Sequence, residues 1–168
     1  LLYNLMSLSI LYMMTYLFSA IIMYIFIGLC LYVLQRRILF NTSGHPGSPK
    51  SYNLNKIKEI NIPTSDGIDL LSWYYIGGKN LPLLVYFQGN SFHIGDRAHR
   101  IKKYIDKNWS VLLVSWRGFG GNLGKPSEKN LYEDGNAVLS WMSKNTYFEN
   151  KQRIIYGESL GSGVAVEL

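Results

Sequence analysis

The chain has 168 residues, 48% of them hydrophobic, with 17 Lys and Arg against 11 Asp and Glu and a formal net charge of +6. That length leaves room for one domain and an anchor. A single cysteine, Cys30, excludes an intrachain disulfide and a cysteine-built metal site, and no metal or cofactor is expected.

All the charge lies from Arg36 onward. The preceding run from Leu1 to Gln35 is longer than the roughly 20 apolar residues that span a bilayer. No small-residue cleavage site separates it from Arg36-Arg37, so it reads as a membrane anchor (1–35) with its helix from about Thr15 to Leu34 and not as a cleaved leader. Arg36, Arg37 and Lys50 follow the helix while no Lys or Arg precedes it, which predicts a single-pass protein with its soluble part in the cytoplasm. The Gly-, Pro- and Ser-rich stretch after it marks a linker (36–56).

From Ile57 the pattern is that of an α/β domain (57–168). Ile57–Ile62 and Ile68–Ile76 read as a hairpin around the Thr64–Gly67 turn. Leu81–Phe87 and Val111–Trp116 are nearly unbroken apolar runs, as expected of strands covered on both faces. Between them, Ala98, Ile101 and Ile105 recur at helical spacing within Ile94–Lys107. Arg97, Arg100, Lys102, Lys103 and Lys107 on the same segment read as a solvated basic face, and no nucleic-acid partner is expected. Ser127 reads as the cap of a helix whose inner face holds Leu131, Val138 and Trp141. Arg153–Tyr156 is the last strand. Such alternation implies a doubly wound, mostly parallel sheet.

The last strand runs directly into Gly157-Glu158-Ser159-Leu160-Gly161. A serine between two such glycines, at a strand-to-helix turn, stands on a sharp bend that larger flanking side chains would block. Ser159 is therefore the candidate nucleophile, with Gly157 and Gly161 as the elbow. Acyl transfer also needs two N–H donors for the developing oxyanion. One is expected from Leu160, and the other from Asn90 in Gln88-Gly89-Asn90-Ser91, directly after the Leu81–Phe87 strand. The glycine-rich loop Ser115–Gly121 carries no phosphate-binding pattern and reads as a rim of the site.

Leu84–Asn90, the Trp116–Gly121 loop, Gly124–Tyr132 and Tyr156–Gly161, in that order, resemble the membrane-anchored α/β-hydrolase-domain family of serine hydrolases. That family is related to the serine aminopeptidase and monoacylglycerol lipase group and includes protein depalmitoylases and lysophosphatidylserine lipases. The resemblance covers most of the chain from Gln35. The family usually has His-Gly-Asn where this chain has Gln88-Gly89-Asn90, and Asp-Tyr-Arg-Gly where it has Ser115-Trp116-Arg117-Gly118. The first change keeps the backbone donors but loses an imidazole anchor. The second removes a hydrogen-bonding carboxylate from the strand-end loop.

In this fold the triad acid and histidine follow the nucleophile. Nine residues follow Ser159 here; their one acid, Glu167, falls on the elbow helix, and His45, His93 and His99 all precede the serine. The triad acid and base are thus expected to be absent from the chain, and Leu1 and Leu168 read as cut ends of an incomplete α/β-hydrolase. The reading is a hydrolase of acyl esters or thioesters near a bilayer, inactive as given without a base. The alternative is a non-catalytic membrane protein, a truncated pseudoenzyme or reading-frame fragment. In the family's strand order Arg153–Tyr156 is central, so a chain ending at Leu168 would expose it as an edge open to self-association.

Overall fold

Strands that are apolar at every position need cover on both faces, and two such strands form the middle of the sheet. In this computed structural model, which describes residues 2–145 and 152–168, Leu83–Phe87 (β3) and Ser110–Val114 (β4) are buried throughout. Lys58–Pro63 (β1) and Asp69–Tyr75 (β2) form the expected hairpin, and Arg153–Gly157 (β5) is the last strand. The sheet order is β1-β2-β4-β3-β5. β1 pairs with β2 and β2 with β4 antiparallel, whereas β4–β3 and β3–β5 are parallel. The sheet is thus mixed, and its parallel half carries the loops of interest.

Successive residues of β3 and β4 face opposite sides of the sheet. Leu83, Val85, Phe87, Leu112 and Val114 join one core cluster with residues of Glu128–Ser143 (α3) and Leu160–Glu167 (α4). Leu84, Tyr86, Val111 and Leu113 join a second one under Ala98–Ile105 (α2). Helices therefore cover both faces, as a doubly wound fold requires. Ser127 caps α3, its hydroxyl accepting from the Asn130 N–H at 3.3 Å. The buried face of α3 is Leu131, Asp134, Gly135, Val138 and Met142, with Trp141 only half-buried. Asp134 takes a buried place because it has an ionic partner. The helix expected over Ile94–Lys107 begins as a 3₁₀ turn, Ile94–Arg97, and ends at Ile105.

The N-terminal segment is a separate unit, Leu1–Leu39, of which Leu1 lies outside the described residues. Its helix (α1, Leu2–Leu39) is longer than expected at both ends. Nothing in Gln35–Leu39 breaks a helix, and Arg36 and Arg37 in the last turn oppose the negative end of the helix dipole. At 1.5 Å per residue the helix is about 57 Å long, against a hydrocarbon layer of about 30 Å. Met6–Leu39 is long and apolar enough to cross a membrane.

The second unit, Phe40–Leu168, begins inside the stretch expected as linker. That stretch is structured: Phe40 packs edge-on against Phe119 with ring centroids 6.5 Å apart, and Pro49–Tyr52 forms a 3₁₀ turn capped by Ser48. A charged cluster ties three further segments. Arg117 after β4, 2% exposed, meets the fully buried Asp134 at 2.6 Å and the Asp66 carboxylate of the β1–β2 turn at 2.7 Å. A second Asp134 oxygen accepts the Arg117 backbone N–H at 3.0 Å. Removing one side of a buried pair leaves the other charge without compensation. Asp134→Ala is therefore expected to lower unfolding free energy by about 3–5 kcal/mol, read by urea unfolding of the chain in detergent micelles.

Candidate active site

β5 lies beside β3 in parallel register, with Phe87 opposite Gly157. The turns that follow the two strands therefore emerge together at the carboxyl edge of the sheet, where open α/β sheets hold their ligands. Ser159 stands at the bend between β5 and α4 with φ +48° and ψ −110°, a conformation strained for any side-chain-bearing residue, and it is exposed. The bend is tight because the Glu158 N–H donates to the Phe87 carbonyl at 3.0 Å and the Gly161 N–H to the Glu158 carbonyl at 2.8 Å. A Cβ on Gly157 would overlap the Gly161 carbonyl, and one on Gly161 the Phe87 carbonyl. Leu160 opens α4, so its N–H has no intrahelical acceptor.

The loop after β3 lies against this bend: a Cβ on Gly89 would sit 3.3 Å from the Glu158 carbonyl oxygen. Asn90 follows, its carbonyl accepting the Asn41 N–H at 3.1 Å, and the Phe92 N–H donates to the Asn41 carbonyl at 3.0 Å. The segment after α1 thus hydrogen-bonds to the loop carrying Asn90. Ser159, Leu160 and Asn90 are brought to one edge of the sheet.

Around them the departures from the family pattern have distinct outcomes. Gln88 is fully buried and neither atom of its side-chain amide has a partner, while its carbonyl accepts the Trp116 indole N–H at 2.8 Å. The Trp116 ring stacks on Phe87 at 5.1 Å. Ser115 donates its hydroxyl to the Phe119 carbonyl at 3.3 Å, so it still ties the loop after β4 back on itself.

Sequence reasoning missed two residues here. Arg97, expected on a solvated face, is buried, and its Nε meets Glu158 Oε2 at 3.0 Å. Arg100 reaches Glu158 Oε1 at 3.2 Å, and the Tyr86 hydroxyl donates to Oε2 at 2.8 Å. The signal was present: Ile94, Arg97, Ala98, Ile101 and Ile105 share one helical spacing, which puts an arginine on the apolar face. Burial works to raise the Glu158 pKa, but hydrogen bonds from Arg97 and Tyr86 and the two arginine charges outweigh it and hold the carboxyl below its ordinary range. The Tyr86 hydroxyl, chiefly through burial, is pushed up to about 12. A carboxyl more acidic when folded contributes stability above its unfolded pKa and loses it as pH falls through the folded value. Among the described residues, no group of three or more His, Cys, Asp or Glu side chains could hold a metal ion.

An uncharacterized protein of Mycobacterium tuberculosis is 34% identical over 139 residues, covering 80% of this chain and 48% of its own length. The α/β-hydrolase domain-containing protein WAV2 of Arabidopsis thaliana is 32% identical over 132 residues, 73% of this chain and 43% of that protein. A lysophosphatidylserine lipase of Xenopus tropicalis, ABHD12, is 31% identical over 104 residues, 58% of this chain and 26% of that protein. The esterase Pf2001 of Pyrococcus furiosus superposes with a TM-score of 0.63 at 20% identity, over 76% of this chain and 49% of its own. The chain belongs to the α/β-hydrolase family. It spans about half the length of the curated relatives it matches. No family model matches it.

The elbow geometry has a measurable signature in this α/β-hydrolase. Ser159→Gly removes the Cβ that makes the bend costly and is expected to stabilise the chain by about 1 kcal/mol, whereas Ser159→Ala keeps the strain. Gly161→Ala meets the Phe87 carbonyl and is expected to cost about 1–3 kcal/mol. Thermal unfolding of the three variants checks both signs.

Proposed function

We propose that the chain carries the nucleophile and oxyanion half of a membrane-bound serine hydrolase acting on acyl esters or thioesters. The observation that carries the reading is the strained backbone of Ser159, held between two turns that a Cβ at Gly157 or Gly161 would break. Strain of that size persists where the surroundings impose it, and it clusters at active sites. Ser159 attacks the acyl carbonyl, and the N–H groups of Leu160 and Asn90 receive the oxyanion. The triad acid and histidine are supplied from outside these 168 residues, in the part of the relatives' length that the chain does not span. The esterase and lipase named among the similar proteins support an acyl substrate.

Two measurements test this. An alkyl fluorophosphonate applied to membranes of cells that make the protein naturally is expected to modify Ser159, and Ser159→Ala to abolish the labelling. Unmodified Ser159 favours the second reading, a non-catalytic membrane protein. The 168-residue chain by itself is expected to hydrolyse p-nitrophenyl esters no faster than about 10³–10⁴ times water, since no base accompanies the serine. Enzyme-like, Ser159-dependent turnover would mean that another residue of the chain acts as base.

The 1–35 segment anchors the protein in the bilayer, with 57–168 as the hydrolase part, and Arg36 and Arg37 favour a cytoplasmic position for it. Hydrophobic burial holds such a helix, so the chain should stay with membranes through carbonate and high salt, and a chain starting at Asn41 should be released. Salt release of the full chain would make its basic surface the anchor instead.

Self-association is proposed for the 168 residues taken by themselves. β5 is an edge of the described sheet, with Ile155 37% and Tyr156 41% exposed. An apolar edge with unpaired backbone groups is a template for another chain. Ile155→Lys is expected to reduce association in sedimentation, and a monomeric parent would overturn the edge argument.

A further inference from the structure

A loop that presents an oxyanion donor must hold it in place before the reaction begins, because the gain comes from dipoles that need no reorganisation. Gly89, Asn90 and Ser91 are small or polar and bring no core side chain to fix their loop. Beside the backbone bonds from Asn41, Arg97 is the side chain that fixes it to the nucleophile turn. Its Nη1 donates to the Ser91 carbonyl at 2.7 Å and to the His93 carbonyl at 3.3 Å. Its Nε and Nη2 donate to Glu158 Oε2 at 3.0 Å and Oε1 at 3.3 Å. A Cβ on Gly89 would sit 3.5 Å from the same Nη2, so the fork fills the space beside the loop.

We infer that Arg97 is the positioning residue of the candidate oxyanion hole, joining the loop that carries Asn90 to the residue that precedes Ser159. The inference rests on the proposed roles of Ser159, Leu160 and Asn90. One planar guanidinium fixes distance and orientation between the loop at Ser91 and the bend at Glu158, which lies 61 residues from Arg97 in sequence. A lysine in its place keeps the charge but has no fork, so it cannot hold both turns in the same geometry. Arg100 supplies the internal comparison. It meets Glu158 and Tyr86, and among the described residues neither contact falls on the loop after β3.

The test compares the full chain in detergent micelles with Arg97→Lys, Arg97→Met and Arg100→Ala by backbone hydrogen exchange. Exchange over residues 89–93 is expected to rise about tenfold in Arg97→Met, with partial protection regained in Arg97→Lys and parental protection in Arg100→Ala. Protection of residues 110–114 in β4 reports whether each variant is folded. Should Arg97→Met fail that check, the comparison of Arg97→Lys with Arg100→Ala decides. In native membranes, the saturating rate of fluorophosphonate attack on Ser159 should fall about tenfold in Arg97→Met, with an unchanged half-saturating concentration and partial recovery in Arg97→Lys. Parental exchange over 89–93 in both folded Arg97 variants, or an equal rise in Arg100→Ala, overturns the inference. Absence of any Ser159 labelling in the parent would count against the hydrolase reading alone, and the exchange data would still judge the clamp.

Discussion

The parallel pairing of β3 with β5 is the constraint on which the candidate site depends. With Phe87 opposite Gly157, the two strands end level, and the chain must turn twice in the same small volume. Two turns so close leave no room for side chains at the contact. This is why Gly157 and Gly161 face backbone carbonyls and Gly89 lies against Glu158. The strain at Ser159 follows from the same crowding, since the bend is closed by hydrogen bonds to Phe87 on one side and within α4 on the other.

Crowding brings the turns together but does not orient them, and here buried charge takes over. Arg97 and Glu158 lie across the contact, while Arg117, Asp134 and Asp66 hold the loop after β4 to α3 and to the β1–β2 turn. Both clusters cost desolvation, and both recover it through short, multiple hydrogen bonds to planar guanidinium groups. Such pairs contribute less to net stability than to uniqueness of arrangement, because a planar guanidinium fork fixes the placement of its partners. The loops at the carboxyl edge of the sheet are thus ordered by ionic contacts together with packed rings such as Trp116 and Phe119, whereas the strands beneath them are ordered by packing.

The segment from Phe40 onward adds a third restraint. It is the first stretch beyond α1, and its backbone hydrogen-bonds at Asn41 to the carbonyl of Asn90 and the N–H of Phe92. The residues that continue from the apolar helix are therefore part of the wall of the site. They were expected as a linker because Gly, Pro, Ser and Asn dominate there, and that composition says how the chain bends, not what it touches.

Much of the fold was legible locally. Leu81–Phe87 and Val111–Trp116 are uninterrupted apolar runs, and such runs have one stable use in a domain of this pattern, as strands covered on both sides. The uncharged run before Arg36 and the elbow glycines were equally plain, because length and the absence of side chains are properties of sequence alone. Ser159, Leu160 and Asn90 were singled out as candidates for that reason. The strand order, the burial of Arg97, the partnership of Asp134 with Arg117 and the orphaned amide of Gln88 were not. Each depends on which residues from distant parts of the chain come within about 3 Å, the range of a hydrogen bond. Sequence by itself determined the elements and the elbow, through periodicity and steric permission. Only the tertiary structure decided which charges meet, because a charged residue reads as solvent-facing until its partner is placed beside it.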